Sequence, residues 1–385
     1  MKVVGIICEY NPLHLGHKKQ IDLMKSKFGE DCAVICLMSG NFVQRGAPAI
    51  FDKSARAKAA VLSGADLVLE LPVTCALSSA EGFARGGVEI LGKFCDYLCF
   101  GCETGNADAL MATAGALLSD EFQPLLRQEM EKGVSFPAAR AAALEKMGLD
   151  PEILRRPNDI LAVEYCKAIL ATETAMCPLP IVREGSYHAE TPDAENPSAT
   201  ALRRLILEGG AWQNYVPECT RSVFENAPIH TLEAGERAVL ARLRTMTEAE
   251  FEALPYGSEG LWRKFMHACR REANLSAITA ATKSKRYTLT RIDRMVMCAF
   301  LGITAEMLNA SVPYVRTLAL NDKGRSVLRS AKRHTLCINA GESVDHPYFG
   351  LECRCADLYG LFRADGPGAP GVEEKQRIYY HKENP

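Results

Sequence analysis

The 385-residue sequence contains no uninterrupted apolar run near the roughly 18 residues that a membrane span requires, so no transmembrane helix is expected. Its N-terminus enters strand-like sequence directly, without the charged and apolar regions of a signal peptide, and the expected location is the cytosol. An excess of one charge is also missing: 45 Lys and Arg stand against 47 Asp and Glu, so an anionic partner must be met by a region and not by the whole chain. There is no internal repeat and no long low-complexity tract. What is left is an ordinary globular composition, 48 % hydrophobic and 24 % charged, at a length that suits two domains. Cysteine is not scarce. Fifteen are scattered through apolar stretches such as Ala33-Val34-Ile35-Cys36-Leu37, the pattern of reduced core residues and not of a disulfide framework.

The most informative segment is Val3–His17, where an apolar strand runs straight into an H-x-G-H turn. Val3–Ile7 is β-branched except at Gly5, as in strands buried on both faces of a parallel sheet, and Asn11-Pro12 ends it. A helix is expected to begin near His14. His14 and His17 then share one face of its first turn, where free backbone N–H groups and the helix dipole favour a phosphate. Gly16 between them leaves room for a flat group such as a purine. A zinc site is the rival reading, but zinc-binding helices space their His at i, i+4 with a Glu between, and no third ligand is evident.

The first half alternates strand and helix patterns as a doubly wound α/β sheet does, with a parallel, Rossmann-like arrangement expected. Strands are predicted at Val3–Ile7, Cys32–Met38, Asp66–Leu69, Tyr97–Phe100 and Leu179–Val182, and helices at Lys53–Ser63 and Ala80–Phe94. In such sheets ligands bind at the carboxyl ends of strands. There the sequence places Ser39–Gly46 with Arg45, Gly101-Cys102-Glu103, Arg183 with Tyr187-His188, and Ser198-Ala199-Thr200 leading to Arg203. The arginines at that edge suit the forked recognition of a triphosphate. Cys95, Cys99 and Cys102 have spacing found in some iron–sulfur sites. They lie in a run that reads as a buried strand, so no iron–sulfur cluster is expected.

From about Ala211 the β signals fade and helical patterns dominate, at Leu232–Arg244, Glu259–Arg271, Arg291–Leu301 and Gly324–Ser330. We therefore divide the chain into a catalytic domain, 1–210, and a mainly α-helical domain, 211–385. Between Ala281 and His334 eleven Lys and Arg face three Asp and Glu. Within it, Lys283, Lys285, Arg286, Arg291 and Arg294 surround Tyr287, a mix suited to phosphate contact and base stacking. Tyr314-Val315-Arg316 and Lys323-Gly324-Arg325 form a second basic group.

Taken in order, Gly5–Gln20, Ser39–Gly46, Gly64–Pro72, Phe100-Gly101, Pro157-Asn158, Arg183 with Tyr187-His188, and Lys285–Thr288 give a chain that resembles the bacterial tRNA(Met) cytidine acetate ligase family over nearly its whole length. The resemblance implies a nucleotidyltransferase-like fold. It implies an enzyme that condenses acetate with ATP to acetyl-adenylate, then transfers the acetyl group to N4 of the wobble cytidine of elongator tRNA(Met). It places ATP contacts on Ile7, Cys8, Glu9, Tyr10, Asn11, Pro12, Leu13, His14, Leu15, Gly16, His17, Lys18, Lys19 and Gln20, with Gly101, Asn158 and Arg183. His14 and His17 would stabilise charge on the α-phosphate and the leaving pyrophosphate, assisted by Arg183 and Arg203. Mg2+ would bridge the phosphates without a dedicated protein cage, and no metal ligand is assigned. Lys283, Lys285, Arg286, Tyr287, Arg291 and Arg294 would face tRNA. Asn41, Gln44 and Asp52 are candidates to take the N4 proton. The family pattern is broken at Ala199, where a hydroxyl residue is common, and around Gly101, where Cys99 and Cys102 stand.

Two other readings fit parts of the chain. An adenylyltransferase acting on a small phosphorylated metabolite would explain the first half but leave the basic helices idle. A degenerate nucleotide fold that only carries tRNA would leave two intact histidines without a task.

Overall fold

The strand-forming runs assemble into one sheet in the computed structural model, which describes residues 1–182, 197–311, 313–331, 336–339, 342–343 and 345–382. In chain order the strands are β1 (Lys2–Cys8), β2 (Cys32–Ser39), the short pair β3 (Phe42–Val43) and β4 (Ala47–Pro48), β5 (Leu67–Leu71), β6 (Tyr97–Cys102), β7 (Cys177–Val182), β8 (Tyr314–Leu320), β9 (Leu336–Asn339) and β10 (Tyr379–Tyr380). The main sheet runs β10-β8-β5-β2-β1-β6-β7, with β9 also on β8, while β3 and β4 form a separate antiparallel hairpin. From β5 to β7 every pairing is parallel. The five predicted strands fall on β1, β2, β5, β6 and β7.

Period-two alternation divides the core between the sheet's faces. Val3, Ala33, Ile35, Leu37 and Leu69 bury one way, and Val4, Ile6, Cys36, Met38 and Val68 the other. Each fully buried aliphatic side chain is worth about 1.5–3 kcal/mol relative to exposure. Gly5 has a packing reason: a Cβ there would lie 2.8 Å from Leu91 Cδ1 and 2.9 Å from Cys95 Sγ. The helices α1 (Leu15–Phe28) and α2 (Lys53–Leu62) follow β1 and the hairpin, and Asp52 caps α2 by accepting the Ala55 N–H at 2.8 Å.

Beyond residue 210 the chain is largely helical, including Leu232–Thr245, Leu261–Arg271 and Leu289–Leu301, around a separate apolar core. The boundary at 210 does not divide the sheet, however. β8 returns to pair antiparallel with β5, and its other edge carries β9 and then β10. The basic group around Arg316 is for this reason not a surface group: Tyr314–Leu320 is a buried strand, and Arg316 is 2 % exposed. Its guanidinium pairs with the buried carboxylate of Glu373, so it cannot meet an external anion. Lys323, in the same group, donates to the carbonyls of Glu30 at 2.9 Å and Cys32 at 3.2 Å.

Candidate active site

β1 delivers its carboxyl end to a sharp turn. Tyr10 adopts φ +45°, the Asn11–Pro12 peptide is cis, and His14 is the extended N-cap of α1. The backbone N–H of His14 donates to His17 Nδ1 at 3.3 Å, so the neutral His17 ring carries its proton on Nε2. The two imidazoles stack, with centroids 3.7 Å apart and planes 22° from parallel, and His17 lies 4.9 Å from the Tyr10 ring. A Cβ at Gly16 would sit 3.1 Å from His14 Cε1, so the missing side chain makes room for that ring. The result is two polar rings fixed over the N-terminus of a 14-residue helix, where backbone N–H groups already favour an anion.

The surroundings are held from several directions. Arg203 Nη1 donates to Asn11 O at 2.7 Å and Nη2 to Thr200 Oγ1 at 3.2 Å, which brings the helix Ala199–Leu207 against the turn. Ser198 caps that helix through Ala201 N, so Ala199 occupies its first turn without breaking the start. Asn11 Oδ1 accepts the Ile50 N–H at 2.8 Å. Glu9 takes two roles: its carboxylate accepts Gln44 N–H at 2.8 Å, and its carbonyl accepts Arg56 Nη1 at 2.6 Å. Lys18 pairs with Asp22 one turn along α1, and Gln20 Nε2 donates to Cys99 Sγ at 3.3 Å, tying α1 to β6.

At the end of β6, Gly101 pairs with Ile181 of β7. Beyond it, Glu103 and the helix Pro157–Ala171 grip each other: Asn158 Nδ2 and Asp159 N donate to the Glu103 carboxylate at 2.7 and 2.8 Å. In return, the backbone N–H groups of Glu103 and Thr104 donate to Asp159 Oδ1 at 2.8 and 2.9 Å. Asn158 is thus fixed at the carboxyl end of β6, which runs parallel to β1, the strand that ends at the histidine turn. Arg183, with Tyr187 and His188, lies outside the described residues. Arg45 is exposed at the tip of the β3–β4 hairpin.

Of the residues considered for the N4 proton, Asn41 Oδ1 accepts Lys53 N–H at 3.0 Å and Asp52 is occupied as the α2 cap. Sequence reasoning missed Arg56 and Asp159. Both look like ordinary helical charges locally, yet Arg56 is fully buried and donates to the carbonyls of Glu9, Phe51, Ser39 and Gly40. Asp159 is buried as well. A charged residue in the first turn of a helix right after Pro157 was the available signal for Asp159.

Burial pushes the Cys8 thiol and the Tyr10 phenol well above their ordinary ranges, and the Cys99 thiol up to about 12. These groups stay neutral near pH 7 and serve packing, not nucleophilic attack. Cys99 and Cys102 lie on β6 and Cys95 just before it. Among the described residues, no group of three or more His, Cys, Asp and Glu side chains is arranged to hold a metal ion.

The helical half brings together only part of the expected tRNA-facing set. Lys283, Lys285 and Arg286 are exposed, with Lys264 Nζ donating to Lys283 O at 2.9 Å. Arg286 and the Tyr287 hydroxyl both bond Glu259, at 2.7 and 3.0 Å. Arg291 turns inward, donating to Tyr256 O at 2.7 Å and to Ser258 Oγ at 3.0 Å, with its guanidinium 4.9 Å from the Tyr287 ring centre. Arg294 covers the Tyr256 ring at 5.0 Å and reaches Gln44 O at 3.4 Å. The exposed cationic face is therefore centred on residues 283–286, while Arg291 ties helical segments to one another and Arg294 joins its helix to the loop beside the histidines.

A mostly parallel sheet with an H-x-G-H turn at the start of its first helix defines a nucleotidyltransferase of the HIGH class, and the HIGH Nucleotidyl Transferase family matches residues 1–367. Curated relatives narrow this. The tRNA(Met) cytidine acetate ligase of Acetivibrio thermocellus is 34 % identical over 86 % of each chain, and that of Alkaliphilus metalliredigens 32 % over 100 % of each. The crystal structure of Thermotoga maritima TmcAL in its apo form matches with TM-score 0.90 at 29 % identity, covering 100 % of both chains. The same protein bound with alpha-thio ATP matches with TM-score 0.88. The chain belongs to the tRNA(Met) cytidine acetate ligase family.

Proposed function

We propose that the chain is an ATP-dependent tRNA(Met) cytidine acetate ligase. An acetate oxygen attacks the α-phosphorus of ATP, pyrophosphate leaves, and acetyl-adenylate forms. The N4 amine of the wobble cytidine of elongator tRNA(Met) then attacks the acyl carbon. A C–N bond forms, the C–O bond to AMP breaks, and one N4 proton is lost. The observation that carries this reading is the stacked His14–His17 pair at the start of α1, in a chain of this family.

In this reading His14 and His17 stabilise the charge that grows on the α-phosphate and the departing pyrophosphate. Residues 7–20, Gly101 and Asn158 enclose the nucleotide, and Arg183 and Arg203 assist at the phosphates. ATP enters with Mg2+ as part of the substrate, and the chemistry requires no iron–sulfur cluster. Lys283, Lys285, Arg286 and Tyr287 meet the tRNA, so residues 1–210 carry the chemistry and 211–385 the RNA-facing helices. The reaction takes place in the cytosol; among the described residues, no helix is long and apolar enough to cross a membrane. The adenylyltransferase alternative leaves the cationic 283–286 face without a partner.

Incubation with ATP, labelled acetate and an elongator tRNA(Met) transcript should yield acetylated cytidine, whereas unlabelled RNA overturns the assignment. His17→Ala should lower acetate-dependent ATP–pyrophosphate exchange by about 100-fold or more while tRNA still binds. Unchanged exchange would remove His17 from the mechanism.

A further inference from the structure

The hairpin β3–β4 lies between the histidine turn and the cation-bearing helices, and it is fixed at both ends. On the nucleotide side, Gln44 N–H donates to the Glu9 carboxylate and Ile50 N–H to Asn11 Oδ1, each at 2.8 Å. Ala49 N–H closes the hairpin onto Asn41 O at 2.9 Å. On the helical side, the tip turns at Gly46, which has φ +77°. A Cβ there would fall 2.4 Å from Arg294 N, 2.4 Å from Asp293 C and 2.6 Å from Asp293 O. Those atoms are backbone of the helix Leu289–Leu301 and cannot swing aside. Arg294 Nη1 adds the contact to Gln44 O, and the Phe42 ring packs edge-on against Tyr359 and Phe362 at 5.8 and 6.0 Å.

We infer that the hairpin Phe42–Pro48 is a positioning element that sets the helix Leu289–Leu301, and with it the cationic turn 283–286 that precedes it, in register with the acetyl-adenylate, and that Gly46 is its positioning residue. The inference rests on the acetate ligase reading. Activation involves only ATP and acetate, whereas transfer needs an amine brought within about 3.5 Å of the acyl carbon by a surface elsewhere in the chain. This hairpin touches both Glu9 and Asp293–Arg294. Loosening its tip should therefore disturb the second half-reaction and spare the first.

The test is Gly46→Ala, assayed in two ways. Acetate-dependent ATP–pyrophosphate exchange without RNA should match the unsubstituted enzyme. The kcat of acetyl transfer should fall about 100-fold, the cost of roughly 1 Å of misplacement, with little change in the KM for tRNA. Parallel loss of both half-reactions, or loss of neither, overturns the proposal. Should the variant fail to fold, hydrogen exchange of the unsubstituted enzyme decides: adding elongator tRNA(Met) transcript should slow exchange at the Gln44 and Gly46 amides, and unchanged exchange there overturns it. Absence of any transfer by the unsubstituted enzyme instead refutes the acetate ligase reading itself, and the hairpin proposal with it.

Discussion

Lys53 and Arg56 stand one turn apart on α2, both buried, and the protein answers their charges in opposite ways. Lys53 Nζ meets carboxylates: Glu70 at 2.7 and 2.9 Å and Glu373 at 2.5 Å, with Arg316 sharing Glu373. Burial opposes its charge, but the Glu373 and Glu70 carboxylates outweigh burial and hold the ammonium above its ordinary range. Arg56 donates only to carbonyl oxygens, two of them Phe51 O at 2.9 Å and Ser39 O at 3.1 Å. Burial lowers its pKa, yet a guanidinium stays charged near pH 7. The difference separates two tasks. Carboxylates spread over the chain from Glu70 to Glu373 bind the C-terminal segment to the sheet, whereas neutral carbonyls from three loops gather the backbone beside the histidines.

The largest effect is expected at Arg56. Arg56→Met strands four carbonyl oxygens at roughly 1–3 kcal/mol each, so denaturant unfolding should show a loss of about 4 kcal/mol or more, with acetate activation falling too. A loss under about 1 kcal/mol would break the comparison. Glu373→Gln comes next. It leaves Lys53 and Arg316 short of one carboxylate, an expected cost of about 3 kcal/mol, but ATP–pyrophosphate exchange per folded molecule should stay near that of the unsubstituted enzyme. Loss of exchange without loss of stability would show that this cluster also shapes the site.

The smallest effect concerns pH. Glu352 accepts Val73 N–H at 2.7 Å, and burial, with Glu70 adding to it, pushes its carboxyl up to about 8 from an ordinary 4.5. A raised acid pKa means the folded state holds the proton more tightly, so this group's contribution to stability falls as pH rises from about 5 to 8. Glu352→Gln should flatten that decline, improving stability at pH 8 by about 1 kcal/mol relative to pH 7. A thermal unfolding series across this range reads it directly, and an unaltered slope would place the pH dependence elsewhere.

How much of this was legible in the sequence depended on whether partners were near in the chain. The strand, turn and helix from Val3 to Gln20 are contiguous, and their periodicity and Asn-Pro break state the local structure in full. Arg316 gives no local sign of its burial, because Glu373, which neutralises it, is 57 residues away and Tyr314–Leu320, buried at every position, has no polar–apolar alternation to mark it as a strand. Arg56 gave no local signal at all: its burial is decided by carbonyls of Glu9, Ser39 and Gly40, strand ends that come together only in the sheet. For Arg291 and Arg294, composition cannot distinguish a guanidinium over a tyrosine from one in water.

The return of β8 to the sheet has a consequence for synthesis. As the chain leaves the ribosome, β1, β2 and β5 emerge early and can pair, but the outer edge of β5 has no strand until Tyr314 and the residues after it have been made. An open, wholly buried-type edge such as Leu67–Leu71 is a template for pairing with another chain. The nascent protein therefore carries this open edge until Tyr314–Leu320 emerges, and pairing with that strand closes it.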